Sequence, residues 1–186
     1  MTEKELFETY KKDVYKTCLY MLQQRADAED VCQDVFMTVF RHDWRQVEYL
    51  KTWLLRVTVN QCLNHLKKSS RFRTDGQLLL FQRRPETAKA AEVVAEERES
   101  ATETVKLLGQ LPSKIRAAVS LRYLHECSLS EIAAILSIPE GTVKSRLNKG
   151  LKLLRPMMEA RGMNLEKEGA KPYEQDGGQA YSFTER

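Results

Sequence analysis

At 186 residues the chain is long enough for one or two domains. Its 30 basic residues against 26 acidic ones leave a formal charge of only +4, a balance that excludes neither a protein nor a nucleic-acid partner. The first dozen residues lack the apolar core of a secretory signal, and no apolar run approaches the ~20 residues that span a bilayer, so a cytoplasmic location is expected. Strand-forming runs are sparse and glycine is rare before residue 141, which makes the expected fold class all-α.

The first helix is expected over residues 3–24. Leu6, Tyr10, Val14, Cys18 and Leu22 repeat every four residues, and Phe7, Tyr15 and Leu19 widen the stripe. Asp27 then reads as the cap of a second helix over 28–40, with Val31, Val35, Phe36, Val39 and Phe40 inward. Asp30, Gln33, Asp34 and Met37 share its outer face at i, i+3, i+4, i+7. An exposed methionine among carboxylates suits an adaptable protein contact, and the alternative is an ordinary solvated face.

Residues 41–48 are polar and non-periodic, and they read as a loop around Trp44. Flanked by Arg41 and Arg45, that ring either stacks on an unpaired base while the cations hold phosphates or plugs the end of a core. A third long helix follows over 49–69, with Leu55, Val59, Cys62 and Leu66 inward. A second stripe carries Arg56, Asn60, Asn64 and Lys67, with Trp53 beside it, and Lys68, Arg71 and Arg73 extend the charge. Cations suit phosphates and amides suit base edges. Two asparagines in mid-helix are poor for helix propensity, so a purely structural role explains them less well.

Periodicity lapses from about residue 70 to 91, where Asp75-Gly76 and Pro85 break the pattern and a linker is expected. An apolar patch at 78–81 within it would dock on its own domain or on a partner. Residues 92–109 regain helical character, and Leu111-Pro112 marks the stop. A helix over 113–125 places Ile115, Val119 and Tyr123 inward.

Ser128 to Arg155 then reads as two helices and a tight turn. Ser128 and Glu131 form a capping box, and Leu129, Ile132, Ala133 and Leu136 make one apolar face. Pro139 opens the next helix. There Val143, Leu147, Leu151 and Leu154 are buried, while Thr142, Ser145, Arg146 and Lys149 share the opposite face, with Lys144 beside them. Hydroxyls and cations on one side of a second helix match a helix-turn-helix with its second helix in a DNA major groove. The alternative is a helical hairpin with a solvated face. Past Gly162 the tail is polar and without a stripe, so disorder is expected for 161–186.

The bases fall into two blocks, Arg41 to Arg73 and Lys114 to Arg155, with an acidic stretch between, a distribution that suits a polyanion touched at two places. Cys18, Cys32, Cys62 and Cys127 are scattered with no ligand-spaced histidine, and read as reduced core thiols. No P-loop and no Ser/His/Asp set is present, so neither an enzyme, a metal site nor a cofactor is expected.

Four segments in this order resemble the extracytoplasmic-function (ECF) sigma factors of the sigma-70 family: DAEDVCQDVFMTVF at 27–40, TWLLRVTVNQCLNHLKK at 52–68, LPSKIRAAVSLRYLHECSLSEIAAIL at 111–136 and GTVKSRLNKGLKLLR at 141–155. The resemblance implies two small helical domains, a region 2 bundle at 1–69 and a region 4 helix-turn-helix at 92–160, joined by a flexible linker at 70–91. It implies binding to bacterial RNA polymerase core, to promoter DNA and to an anti-sigma factor. On this resemblance, Asp30, Gln33, Asp34 and Met37 dock the polymerase clamp. Arg56, Asn60, Asn64, Lys67 and Lys68, with Trp53 and the Trp44 loop, read and open the −10 element. Thr142, Lys144, Ser145, Arg146 and Lys149 read the −35 element. Arg83-Arg84 depart from the acidic linker common in the family, so no path is assigned to it. Two rivals remain. A transcription regulator with the same helix-turn-helix and a helical sensor domain would have a ligand pocket in residues 1–70. A protein-binding adaptor would have no DNA affinity at either basic block.

Overall fold

The computed structural model describes residues 1–74 and 103–160, with side chains described through residue 70 and again from 103. Every regular element among them is helical. The expected linker, its apolar patch and the C-terminal tail lie outside the described residues, apart from residues 70–74.

Helix α1 (Glu3–Leu22) starts at a capping box: Thr2 accepts from the Glu5 amide and the Glu5 carboxylate accepts from the Thr2 amide. It stops at Gln23, whose left-handed backbone (φ 71°) lets its N–H reach the Leu19 carbonyl at 2.9 Å. Helix α2 (Arg25–Arg41) follows after two residues. Asp27 is not its cap, contrary to expectation. The helix starts earlier, at Gln24, and Asp27 sits in its first turn, 3.6 Å from Nε2 of His65. A carboxylate there still favours the helix dipole. A short 3-10 turn (Trp44–Gln46) leads to α3 (Leu50–Thr74), longer than expected at its C-terminal end.

These three helices close on Leu6, Val14, Cys18, Val31, Val35, Val39, Leu55, Val59 and Cys62, all 3% exposed or less. Each fully buried aliphatic side chain contributes about 1.5–3 kcal/mol. The Phe7 ring edge meets Phe36 at 4.8 Å and closes one side. All four cysteines are free thiols. A contact with the Cys62 thiol and burial push the Cys18 pKa up. Burial takes Cys32 to about 11 and Cys127 to about 12, so these thiols are unreactive at neutral pH.

The second group of helices begins with α4, of which residues 103–109 are described, and continues with α5 (Ser113–Leu124), α6 (Leu129–Leu136) and α7 (Glu140–Glu159). The expected capping box at Ser128 and Glu131 is present, and Ser137 ends α6 in a left-handed conformation (φ 52°). Ile132, Ile135, Val143, Leu147 and Leu154 fill the space between α6, α7 and α5. Gly150 also faces α5: a Cβ there would stand 2.6 Å from Cγ2 of Val119 and 3.1 Å from Cγ2 of Ile115. Only a glycine lets the two helix axes approach this closely.

Residues Ile115 to Leu121 of α5 are buried without interruption. One side of α5 meets α7, and the other lies against α1, with α3 and α6 in contact beside it. Tyr123 is 47% exposed rather than inward. At 100° per residue, a position eight residues beyond Ile115 has drifted by about 80° from the stripe.

Candidate nucleic-acid interface

The inner stripe of α3 fixes what its outer face presents. With Leu55, Val59 and Cys62 in the core, Asn60, Asn64, Lys67 and Lys68 all stand exposed, and Arg56 is half-buried and engaged in an interaction of its own. The helix is held in this rotation by Gln61, which donates to the Thr38 hydroxyl of α2 at 3.3 Å, and by the His65–Asp27 pair. Trp53 is half-buried, with its ring 6.2 Å from the ring of His42. Nδ1 of His42 lies 2.8 Å from the Thr38 carbonyl, which ties the start of the 42–49 loop to the end of α2.

Trp44 does not belong with this exposed set. Its side chain is 3% exposed, and the Arg45 guanidinium lies over the ring at 4.5 Å. A ring enclosed on its other faces and capped by a cation has no free face for a base, so the structure favours the plug over the stacking platform. Asp43 anchors the same turn by accepting from Nε2 of Gln46.

On α2, Asp30, Gln33, Asp34 and Met37 line up on the solvent side, with Met37 54% exposed. No described side chain covers them, although Thr38 next to Met37 turns inward to the Asp34 carbonyl at 2.8 Å. The face is therefore a ridge of carboxylates around one exposed thioether.

On α7, burial of Val143, Leu147 and Gly150 turns Lys144, Ser145 and Lys149 outward and leaves Thr142 and Arg146 half-buried at its edge. A Cβ at Gly141 would meet nothing within 4 Å, so the N-terminal turn of α7 is open to solvent. An open helix N-terminus with nearby cations can approach phosphate closely.

One base counted in the second basic block is not on the surface. Arg116 is 8% exposed, and its guanidinium donates to the carbonyls of Met21, Gly109 and Leu111. Burial lowers its pKa. Nothing in its sequence context distinguishes it from a phosphate-binding arginine, because the acceptor on α1, the Met21 carbonyl, is 95 residues away in the chain. Among the described residues, no group of three or more His, Cys, Asp or Glu could hold a metal, and no helix is long and apolar enough to cross a membrane.

Comparisons with known proteins fit this arrangement. The family model for Sigma-70 region 2 matches residues 6–72, and that for Sigma-70, region 4 matches residues 102–154. The chain is 30% identical over 173 residues to the ECF RNA polymerase sigma factor SigM of Bacillus subtilis, covering 89% of this chain and 100% of that one. It is 29% identical over 164 residues to SigW of the same organism, covering 83% and 87%. Its fold is similar to that of the sigma factor RpoE solved in complex with the anti-sigma factor NepR from Bartonella quintana, with TM-score 0.67, 20% identity and coverage of 84% and 96%. It also resembles CnrH, solved with the cytosolic domain of CnrY, at TM-score 0.60 and 18% identity, covering 85% and 88%. The two helical groups are thus those of sigma-70 proteins. The chain belongs to the ECF RNA polymerase sigma factors, which regulate transcription initiation and are not enzymes.

Proposed function

We propose that this chain binds RNA polymerase core through the outer face of α2, reads a −35 element with α7, and reads and melts a −10 element with α3. The observation that carries the proposal is the exposed face of Asn60, Asn64, Lys67 and Lys68 on α3, within the stretch matched by region 2. A plain regulator or an adaptor has no use for base-pairing amides there. We assign region 2 to residues 1–69, the linker to 70–91, region 4 to 92–160 and a tail to 161–186. The similar sigma factor RpoE, solved with the anti-sigma factor NepR, makes an anti-sigma factor a natural partner for this chain too.

Opening DNA costs roughly 1.4 kcal/mol per base-pair step, and this mechanism supplies it by binding. Bases released from the stack are captured by the Asn60 and Asn64 amides with Trp53 alongside, while Arg56, Lys67 and Lys68 neutralise phosphates. Two modest half-sites gain through effective concentration when joined by a linker. Residues 70–74 belong to α3, and the 17 residues of 75–91 reach at most ~60 Å at ~3.3–3.6 Å per residue.

Base capture separates this reading from simple DNA binding. Asn60→Ala should leave closed-complex binding by the holoenzyme nearly unchanged and slow opening, and a template already mismatched across the −10 element should largely rescue it. Arg56→Ala should weaken the closed complex as well, since phosphate contacts act on duplex and single strand alike. Permanganate footprinting of unpaired thymines on both templates measures this. Normal opening by Asn60→Ala on duplex, or equal failure on both templates, would show that α3 captures no bases.

At the −35 element, a bidentate arginine contact to guanine is worth ~1–3 kcal/mol. Arg146→Ala should lower activity and relax preference at one or two positions, whereas Lys149→Ala should weaken all promoters alike and reduce salt sensitivity. Identical effects across a panel of promoter variants would refute the division. On α2, the exposed pair Asp30→Arg/Asp34→Arg should lose core polymerase in pull-down while keeping its helical circular dichroism. Unchanged pull-down would leave that face as plain surface.

A further inference from the structure

The buried side of α7 fixes what its far side presents, and that far side differs from the stripe the sequence suggests. Val143, Leu147, Gly150 and Leu154 are the buried residues of the helix. At about 100° per residue, the line directly opposite them passes within roughly 10° of Ser145 and Lys152. Asn148 stands about 50° to one side of that line and Lys149 about 50° to the other. Arg146 is roughly 110° away from it, on a flank shared with the half-buried Leu153 and Met157. The solvent front of the helix is therefore a ridge of Ser145, Asn148 and Lys152, all exposed. Ahead of them on the same side is Gly141, where even an added Cβ would meet nothing within 4 Å, so no side chain there holds the backbone away from a surface it approaches.

Cations border the ridge on both sides. Lys144 and Arg155 are exposed on the Asn148 side, and Lys149 is exposed on the other. An α-helix with its side chains is about 10–12 Å across, and the major groove is about 12 Å wide. A helix lying in that groove meets base edges with its ridge and the phosphates of the two strands with its flanks.

Of the three ridge side chains, only the Asn148 carboxamide carries a donor and an acceptor in one plane. That pair matches N7 and the N6 amino group of adenine, whereas a hydroxyl pairs with any base and an ammonium only donates. The amide is also short, so it reads a base only from the front of the helix, while an arginine can reach from an edge. Asn148 has an interaction of its own within the chain, which it exchanges on meeting a base.

We propose that Asn148 is a specificity-determining residue that selects adenine at one position of the element read by α7. Its amide N–H donates to N7, and its oxygen accepts from the N6 amino group. Lys144 and Arg155 on one flank and Lys149 on the other hold phosphates. This rests on α7 as the −35-reading helix and adds a second base position to the one assigned to Arg146, which stands on the opposite side of the ridge line.

Holoenzyme reconstituted from core polymerase and the full chain is used to transcribe a promoter library randomised across the −35 element, and sequencing of the productive templates gives the preference at each position. The unmodified chain should prefer adenine at one position. Asn148→Ala should flatten that position alone, by roughly 5- to 150-fold, the range of one good bidentate pair. Alanine is the better helix former and the site is exposed, so this variant should keep its circular dichroism. Placing 7-deazaadenine at that position removes the N7 acceptor and leaves base pairing intact. It should lower initiation by the unmodified chain and leave Asn148→Ala unaffected, a coupling that a structural role would not produce. Three results would overturn the assignment while leaving α7 as the reading helix: unchanged preference in Asn148→Ala, a flattened position that had favoured another base, or equal loss with 7-deazaadenine in both proteins. If the unmodified chain shows no preference at any randomised position, the −35 reading itself falls, and the Asn148 assignment falls with it.

Discussion

Trp44→Ala is expected to cost about 3–5 kcal/mol of stability, the scale for truncating a buried aromatic ring. The ring is 3% exposed, and the loop it anchors connects α2 to α3. Its loss would open a cavity at the end of the three-helix core and release the turn held by Asp43 and Gln46. Trp44→Phe should lose less, because most of the apolar volume remains, and should still form open complexes once folded. Urea denaturation followed by circular dichroism gives the first number, and permanganate reactivity on promoter DNA gives the second. If Trp44→Ala were as stable as the parent but slow to open DNA, the ring would be a base platform and its burial in the free protein would have to be reversed on binding.

Arg116→Met is expected to be nearly as costly. Burying a charge is unfavourable, and replacing a buried ion pair by apolar residues is often neutral. Here the partners are backbone carbonyls, which no substitution at 116 removes. The carbonyls of Met21, Gly109 and Leu111 lose their shared donor, at roughly 1–3 kcal/mol for each one that water cannot reach, so a total of about 3 kcal/mol or more is expected. Arg116→Lys should fall between, since an ammonium keeps the charge but lacks the planar fork that reaches several acceptors at once. Scanning calorimetry separates the three proteins. An Arg116→Met protein with an unchanged transition would mean that the guanidinium contributes nothing net.

The local elements were legible in the sequence because their signals are local. The Ser128 capping box, the apolar stripes of α1, α2 and α3 and the outward face of α7 all depend on residues within one or two turns of each other. Where the reading failed, a partner distant in the chain decided. Arg116 looked like one more base in a cationic block, and only contact with the end of α1 makes it a buried donor. Ala117, Ala118, Ser120 and Leu121 fill out the circumference of α5 because α1 lies on the side away from α7. Gly150 interrupts the apolar stripe in sequence and completes it in space, since the absence of a side chain is what α5 requires there. Asp27 was the right residue type for a cap, yet the chain turns helical at Arg25, three residues earlier than expected, and the carboxylate pairs with His65 on α3. Trp44 could be read either as plug or as platform from its neighbours alone, and burial favours the plug.

The rotation of α7 carries a consequence for how such a protein diversifies. Val143, Leu147 and Gly150 lock the helix against α5 and α6, while Lys144, Ser145 and Lys149 face solvent and support nothing beneath them. Exposed substitutions away from caps and special backbone usually change stability by no more than ±0.5 kcal/mol, whereas one base contact is worth ~1–3 kcal/mol. Target preference on this helix can therefore drift by whole orders of magnitude under selection while the scaffold stays nearly neutral. After gene duplication, two copies could come to serve separate sets of promoters through a handful of changes in one face of one helix, with no intermediate that fails to fold.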